Sequence, residues 1–496
     1  MKSKLFLSVA AVVFAALWFA VSLDSPRVAA VPQGEGAVRE RVQHVENGLL
    51  PAVVIKGQTA PMKIADRMAH YKTPGVSVAV INNGKIEWVK AYGVVEAGGA
   101  ELVTPGTRFQ AASISKPVAA MGALALVEQG KLSLDEDVNA KLKSWKVPEN
   151  DFTKEQKVTL RRLVTHSAGL TVHGFRGYAA DESVPTLPQA LDGQKPANSA
   201  AIRVDILPGS RWRYSGGGYN VMQQLMTDVA GKPFPELMRE LALDKIGMKH
   251  SAYEQPLTKT GAAQAAVGHR SNGEVVKGKS HTYPEMAAAG LWTTPSDLAL
   301  FAIELQKSKA GKSNKVLSQA MTNQMLTKQI ENWGLGVSLG GEGAAATFSH
   351  GGANEGFRCQ LFAYAETGQG AVVMTNSDAG GALASEVLRG IAREYGWPDF
   401  KPTERTVVKV NPEIFKAYAG EYDTLNGKLT ITVENNKLYF QPPGGQKTEL
   451  YPSSETEYFI AVDNLRIVFV KDEQGVVTGL KAQLGAGRTL EGKKVK

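Results

Sequence analysis

The sequence predicts an α+β chain ending in a small all-β domain, and three features point there. β-branched runs flank an Asn-Gly turn at residues 82–84, the arrangement of a β-hairpin. A nearly all-apolar helix is expected from Pro117 to Gln129, stopped by Gly130. From about residue 411 to 496 the chain breaks into short alternating segments separated by turn residues, the signature of antiparallel strands.

Composition fits that expectation. The 496 residues are 43% hydrophobic and 21% charged, which excludes a disordered or collagen-like chain and leaves ample length for a core. Cys359 is the single cysteine, so no internal disulfide framework exists. The formal charge of +8 is scattered along the chain rather than gathered in a stripe, so no nucleic-acid partner is expected.

In chain order, Lys2 and Lys4 precede an uncharged run from Leu5 to Leu23, and Val28-Ala29-Ala30 follows. Residues 1–30 read as a signal peptide, with a periplasmic or secreted product expected. The run is long enough to serve as an uncleaved inner-membrane anchor instead, the one membrane contact anticipated. Residues 31–60 show no clear period and are expected to form a loosely packing leader. A helix is expected over Ala60–Tyr71, then the hairpin of Gly75–Ile81 with Lys85–Val89. An all-round apolar helix such as 117–129 belongs in the centre of a domain. Residues 140–300 are loop-rich, with helices near 219–230 and 295–307. Strands return at 345–376, and a helix over 381–395 closes a main domain spanning 61–400.

Several chemistries are not anticipated. No nucleotide phosphate loop is expected, and neither is the Gly-x-Ser-x-Gly nucleophile elbow of α/β-hydrolases. The eight histidines show no metal-ligand spacing, so neither metal nor cofactor is predicted.

Ser113-Ile114-Ser115-Lys116 is the one Ser-x-x-Lys in the chain, and it opens the apolar helix. Residues three apart share a helical face, which brings the Lys116 amine beside the Ser113 hydroxyl. A desolvated lysine whose pKa falls towards neutrality can take that hydroxyl's proton. Tyr214, just ahead of Gly216-Gly217-Gly218, is a second candidate proton carrier, its pKa expected to be lowered by a nearby ammonium. In Ser349-His350-Gly351-Gly352-Ala353 the glycines allow close backbone approach, and the Ala353 N–H is placed to help form an oxyanion hole. His350 is expected to donate to a substrate carboxylate.

Serine-lysine, tyrosine and His-Gly-Gly, in that order, resemble the class C β-lactamase and DD-peptidase-like serine hydrolase superfamily. Leu163–Leu170, Ala289–Leu298, Trp333–Gly336 and Val373–Ser377 agree, so the resemblance runs from about 62 to 398. It implies a central antiparallel sheet flanked by helices, with a mostly helical subdomain. Segment 411–496, with Tyr418-Ala419-Gly420-Glu421-Tyr422, is similar to the barrel-like accessory domain that follows such hydrolases.

The resemblance implies Ser113 as acylated nucleophile, Lys116 as its base and Tyr214 as second base. It also implies an oxyanion hole from the N–H groups of Ser113 and Ala353, with His350-Gly351-Gly352 on the substrate-binding strand. His166 is expected to be structural. Two departures stand out: Gly216 replaces the asparagine of Tyr-x-Asn, and His350 replaces the usual lysine. Both weaken β-lactam recognition. An esterase, amidase or D-Ala-type peptidase acting on small-molecule or cell-wall peptide substrates is therefore expected. A weak β-lactamase and a non-catalytic penicillin-binding-like protein are the alternatives. Residues 171–200, with His173, Phe175, Arg176 and Tyr178, are expected to line the substrate mouth.

Overall fold

The computed structural model describes residues 34–58, 62–425, 427–445, 447–461, 464–483 and 489–495. The expected signal peptide lies outside them. At the centre is a six-stranded sheet built from β1 (Gly75–Asn82), β2 (Lys85–Gly93), β3 (Ser338–Gly340), β4 (Thr347–Asn354), β5 (Phe357–Tyr364) and β6 (Gly370–Thr375). The spatial order is β2-β1-β6-β5-β4-β3, and every neighbouring pair is antiparallel. The hairpin turn forms at Asn83 and Gly84, both at positive φ, as the Asn-Gly pair requires.

Helices cover both faces, which is why all eight residues of β1 are buried. Val76, Val78 and Val80 face one side, against α1 (Glu35–Glu46) and α5 (Gly380–Glu394). Ala79 and Ile81 face the other, towards α4 (Pro295–Lys309) and the helical subdomain. There α2 (Ser115–Glu128) runs beside α3 (Gly216–Ala230). α2 is buried continuously from Ser115 to Leu126, and Gly130 ends it in the left-handed conformation.

Where a loosely packing leader was expected, residues 34–58 are integrated into the fold. Val42, Val45 and Leu49 of α1 and the turn after it are buried in the core under α5. Val53–Ile55 then pairs in parallel with Thr403–Arg405. The short apolar spacing of α1 within a charged stretch had hidden its period.

The C-terminal region closes into an eight-stranded barrel, β7 to β14, running from Gly420–Thr424 to Thr489–Val495. Closure comes from the antiparallel pairing of those two strands, which leaves no free sheet edge. Its interior is filled: Tyr418 stacks on Phe469 at 4.0 Å, with Tyr422 and Tyr458 alongside. Among the described residues no helix is long and apolar enough to cross a membrane.

A buried ion pair pins the helix Ile64–His70 to α5. Arg67 donates two 2.8 Å bonds to the Glu386 carboxylate, and Tyr71 adds a third at 2.7 Å. Replacing Arg67 with Met should cost about 3–5 kcal/mol, because Glu386 would stay buried without its countercharge. Urea unfolding would measure it, and Tyr71→Phe should cost only about 1 kcal/mol.

Candidate active site

Ser113 sits in a single 3-10 turn, Ala112–Ile114, directly before α2. Ala112 is held at φ +49, a costly conformation for a residue with a Cβ. The surroundings over-determine it. Ser115 Oγ donates to the Ala112 carbonyl at 2.5 Å and accepts from the Leu291 N–H at 2.9 Å. Tyr253 donates to the Ser115 carbonyl at 2.7 Å.

One turn on, Lys116 Nζ lies 3.0 Å from Ser113 Oγ and 2.7 Å from the Ala288 carbonyl oxygen. The residue is 2% exposed, and among the described residues no carboxylate pairs with it. Burial alone pulls its pKa down to about 7. Its other neighbours are rings: Nζ is 5.0 Å from the centre of Tyr214 and 5.7 Å from that of Tyr219.

Tyr214 corrects one expectation. Its pKa is not lowered by the lysine; burial pushes it up to about 12, with contact to Ser113 the opposing influence. Tyr214 is therefore a neutral hydroxyl at neutral pH. It is positioned from behind by His166, whose ring lies 4.2 Å away and whose Nδ1 accepts the Ser215 N–H at 3.1 Å.

β4 forms the opposite wall. Gly352 is required there: a Cβ would collide with the Ala111 carbonyl oxygen and with Cys359 Sγ, so only glycine lets the strand approach the Ser113 turn. Asn354 anchors the strand end, donating to Gln110 at 2.7 Å and to the Ala289 carbonyl at 3.0 Å. His350 departs from its expected role. Its Nδ1 is 2.6 Å from the Gly351 carbonyl oxygen, so that nitrogen carries the proton and is not free to donate to a carboxylate. Burial first, then Lys116, lowers its pKa to about 3.

All seven residues singled out from the sequence line one cleft of about 690 Å³: Ser113, Lys116, Tyr214, His350, Gly351, Gly352 and Ala353. His173 and Phe175 line it too, as expected. Tyr178 and Arg176 do not. Tyr178 is a buried core residue accepting from the Asn198 N–H, and Arg176 points outward to Glu182.

Trp333 was not singled out by itself, yet it stands edge-on to both His166 and His350, with centroids at 5.0 and 5.6 Å. Its signal was an aromatic placed just before Gly334-Leu335-Gly336. Two strings that resemble unexpected motifs are present but lack the structural context. Gly336-Val337-Ser338-Leu339-Gly340 spells Gly-x-Ser-x-Gly, but Ser338 lies on edge strand β3 opposite Ser349, not at a strand-to-helix turn. Gly273–Ser280 spells a phosphate-loop pattern, but it forms turns and no helix opens at Lys279-Ser280, and Lys279 pairs with Glu96 at 2.8 Å.

The fold and this cleft define a class, and the comparisons agree with it. Residues 62–394 match the family model described as Beta-lactamase, and the chain belongs to that family. It is 22% identical over 434 residues to a penicillin-binding protein of Bacillus subtilis strain 168, covering 80% of this chain and 90% of that one. It is 23% identical over 329 residues to a D-aminopeptidase of Brucella anthropi, covering 65% and 60%. Among solved structures, an octameric penicillin-binding protein homologue from Pyrococcus abyssi superposes with a TM-score of 0.59 at 21% identity, covering 86% and 98%. The D-amino acid amidase of Ochrobactrum anthropi SV3 gives 0.56 at 19%, covering 72% and 98%.

Glu285, which precedes the short helix Met286–Ala289 that carries the Ala288 carbonyl, is fully buried, and neither carboxylate oxygen has a partner among the described residues. Burial raises its pKa to about 8. The folded carboxyl therefore stays protonated between pH 4.5 and 8 while the unfolded one ionises, so its stability contribution is lost as pH rises through that window. Glu285→Gln should gain stability over wild type at pH 8, by at most about 4–5 kcal/mol, and gain little at pH 4. Chemical denaturation at the two pH values would measure the difference.

Proposed function

We propose that the chain is a serine hydrolase working through an acyl-enzyme on Ser113, with ester, amide or D-amino-acid peptide substrates. The observation that carries this reading is the unpaired, buried Lys116 amine 3.0 Å from Ser113 Oγ. A lysine with a pKa of about 7 is neutral in a large fraction of molecules at neutral pH and is free to accept the serine proton. Ser113 Oγ then attacks the substrate carbonyl. The backbone N–H groups of Ser113 and Ala353 receive the developing oxyanion, each worth about 3 kcal/mol in comparable sites. Tyr214 relays the proton to the leaving group, and water reverses the sequence to release the acid.

The D-aminopeptidase and D-amino acid amidase relatives favour amide and peptide substrates. A weak β-lactamase is less favoured, because His350 supplies no positive charge to a penicillin carboxylate. A non-catalytic penicillin-binding-like role draws on one observation, Gly216 in place of asparagine. Export to the periplasm or beyond, directed by residues 1–30, belongs to the same proposal.

Intact mass after exposure to an activated acyl ester should show one adduct on wild type and none on Ser113→Ala. An unlabelled wild type across a range of acyl sizes would move the binding-protein reading to the front. The acylation rate should rise with pH through about 7 as Lys116 loses its proton. Lys116→Met should lower that rate by about 10²–10⁴-fold.

A further inference from the structure

His350 is 7% exposed on β4, its ring flanked by Trp333 and Tyr214. A carbonyl oxygen has only lone pairs to offer, so the Nδ1 contact with Gly351 fixes the proton on Nδ1. A neutral imidazole carries one N–H, which leaves Nε2 as a bare acceptor. That atom is buried and no described group donates to it, although the residue lines the cleft beside Ser113. An acceptor in that condition represents an unmet hydrogen bond until a ligand supplies the donor.

The cations of the cleft are already engaged. Lys116 Nζ is held by Ser113 and the Ala288 carbonyl. Arg358 donates to the Asn354 and Phe357 carbonyls and pairs with Asp378 at 2.9 Å. Elsewhere the wall combines the Phe175 and Trp333 rings with the uncharged polar side chains of Ser338, Ser349 and Gln360. A Cβ on Gly216 would lie 3.0 Å from the Phe175 ring and 3.1 Å from the His173 carbonyl, so the phenylalanine fills the place beside Tyr214 where a larger polar side chain would reach.

We propose that the cleft recognises an uncharged hydrogen-bond donor near the scissile bond, a carboxamide N–H or a hydroxyl, through His350 Nε2, and disfavours a carboxylate there. The proposal rests on the hydrolase reading only in taking this cleft as the substrate site. A carboxylate would set its own lone pairs against that of Nε2 and lose its hydration with no cation in return. A carboxamide at the same point satisfies the buried nitrogen.

The probes are N-phenylacetylglycinamide and N-phenylacetylglycine, which differ only in the terminal group, titrated calorimetrically into the full-length protein. The carboxamide should bind about tenfold more tightly, and His350→Lys should reverse the order. Wild-type protein with ¹⁵N-labelled histidine gives a readout that needs no variant: the Nε2 resonance of His350 should move from its unprotonated position when the carboxamide is added. Equal binding, preference for the carboxylate, or a stationary Nε2 resonance would overturn the proposal. Acyl labelling of Ser113 separates the two readings. Labelling without the binding preference refutes the His350 subsite alone, and the preference without labelling refutes the acyl-enzyme alone.

Discussion

A primary amine sealed inside a protein without a carboxylate keeps its charge only at great cost, and the structure resolves that cost by letting Lys116 give up its proton near neutrality. Everything around the cleft maintains this condition. α2 is apolar on every side, so no acid reaches the amine from within the helical layer. The Ala288 carbonyl and the Ser113 hydroxyl supply direction without compensating charge. The rings of Tyr214 and Tyr219 close the remaining space. An aspartate placed beside the amine would restore its ordinary basicity and hold it as an ammonium, unable to accept a proton.

The same desolvation governs the neighbouring groups. His350, His166 and Tyr214 are all held in their neutral forms, each with burial as the leading cause. Glu285, at the start of the helix Met286–Ala289, is also kept protonated at neutral pH. The cleft therefore works by orientation of neutral donors and acceptors more than by fixed charge. His166 illustrates the cost of that arrangement: it adopts φ +58 and leaves Nε2 buried without a partner among the described residues, while its ring and Nδ1 fix the segment carrying Tyr214.

Much of this was legible in the sequence because the informative features are local. Ser113 and Lys116 are three residues apart, so helix geometry alone brings them together, and the hairpin at Asn83-Gly84 is specified by its own turn. Gly351, Gly352 and Ala353 were readable as a strand that comes close to another backbone. What stayed hidden depends on distant partners. The tautomer of His350 is set by a carbonyl one residue on, but the rings of Trp333 and Tyr214 that flank it and the Lys116 charge that acts on it come from distant parts of the chain. The direction of the Tyr214 shift follows from how deeply the subdomain closes over it, which no spacing encodes. Helix α1 escaped notice because its apolar residues, Val42 and Val45, acquire a face only when α5 is present to receive them.

The pairing of Val53–Ile55 with Thr403–Arg405 joins two stretches of chain about 350 residues apart, and the barrel rests on both. Val53 donates to the Ala461 carbonyl, Phe459 packs with Val53 and Ile55, and Arg405 lies over the Phe459 ring. The connection between the two folded parts is thus a clasp with two arms rather than a single tether. A break in the backbone near residues 409–411 would leave the barrel docked through its contacts with the N-terminal arm. The barrel is thus contacted from both sides of the joint, by the N-terminal arm as well as by the segment leading into it.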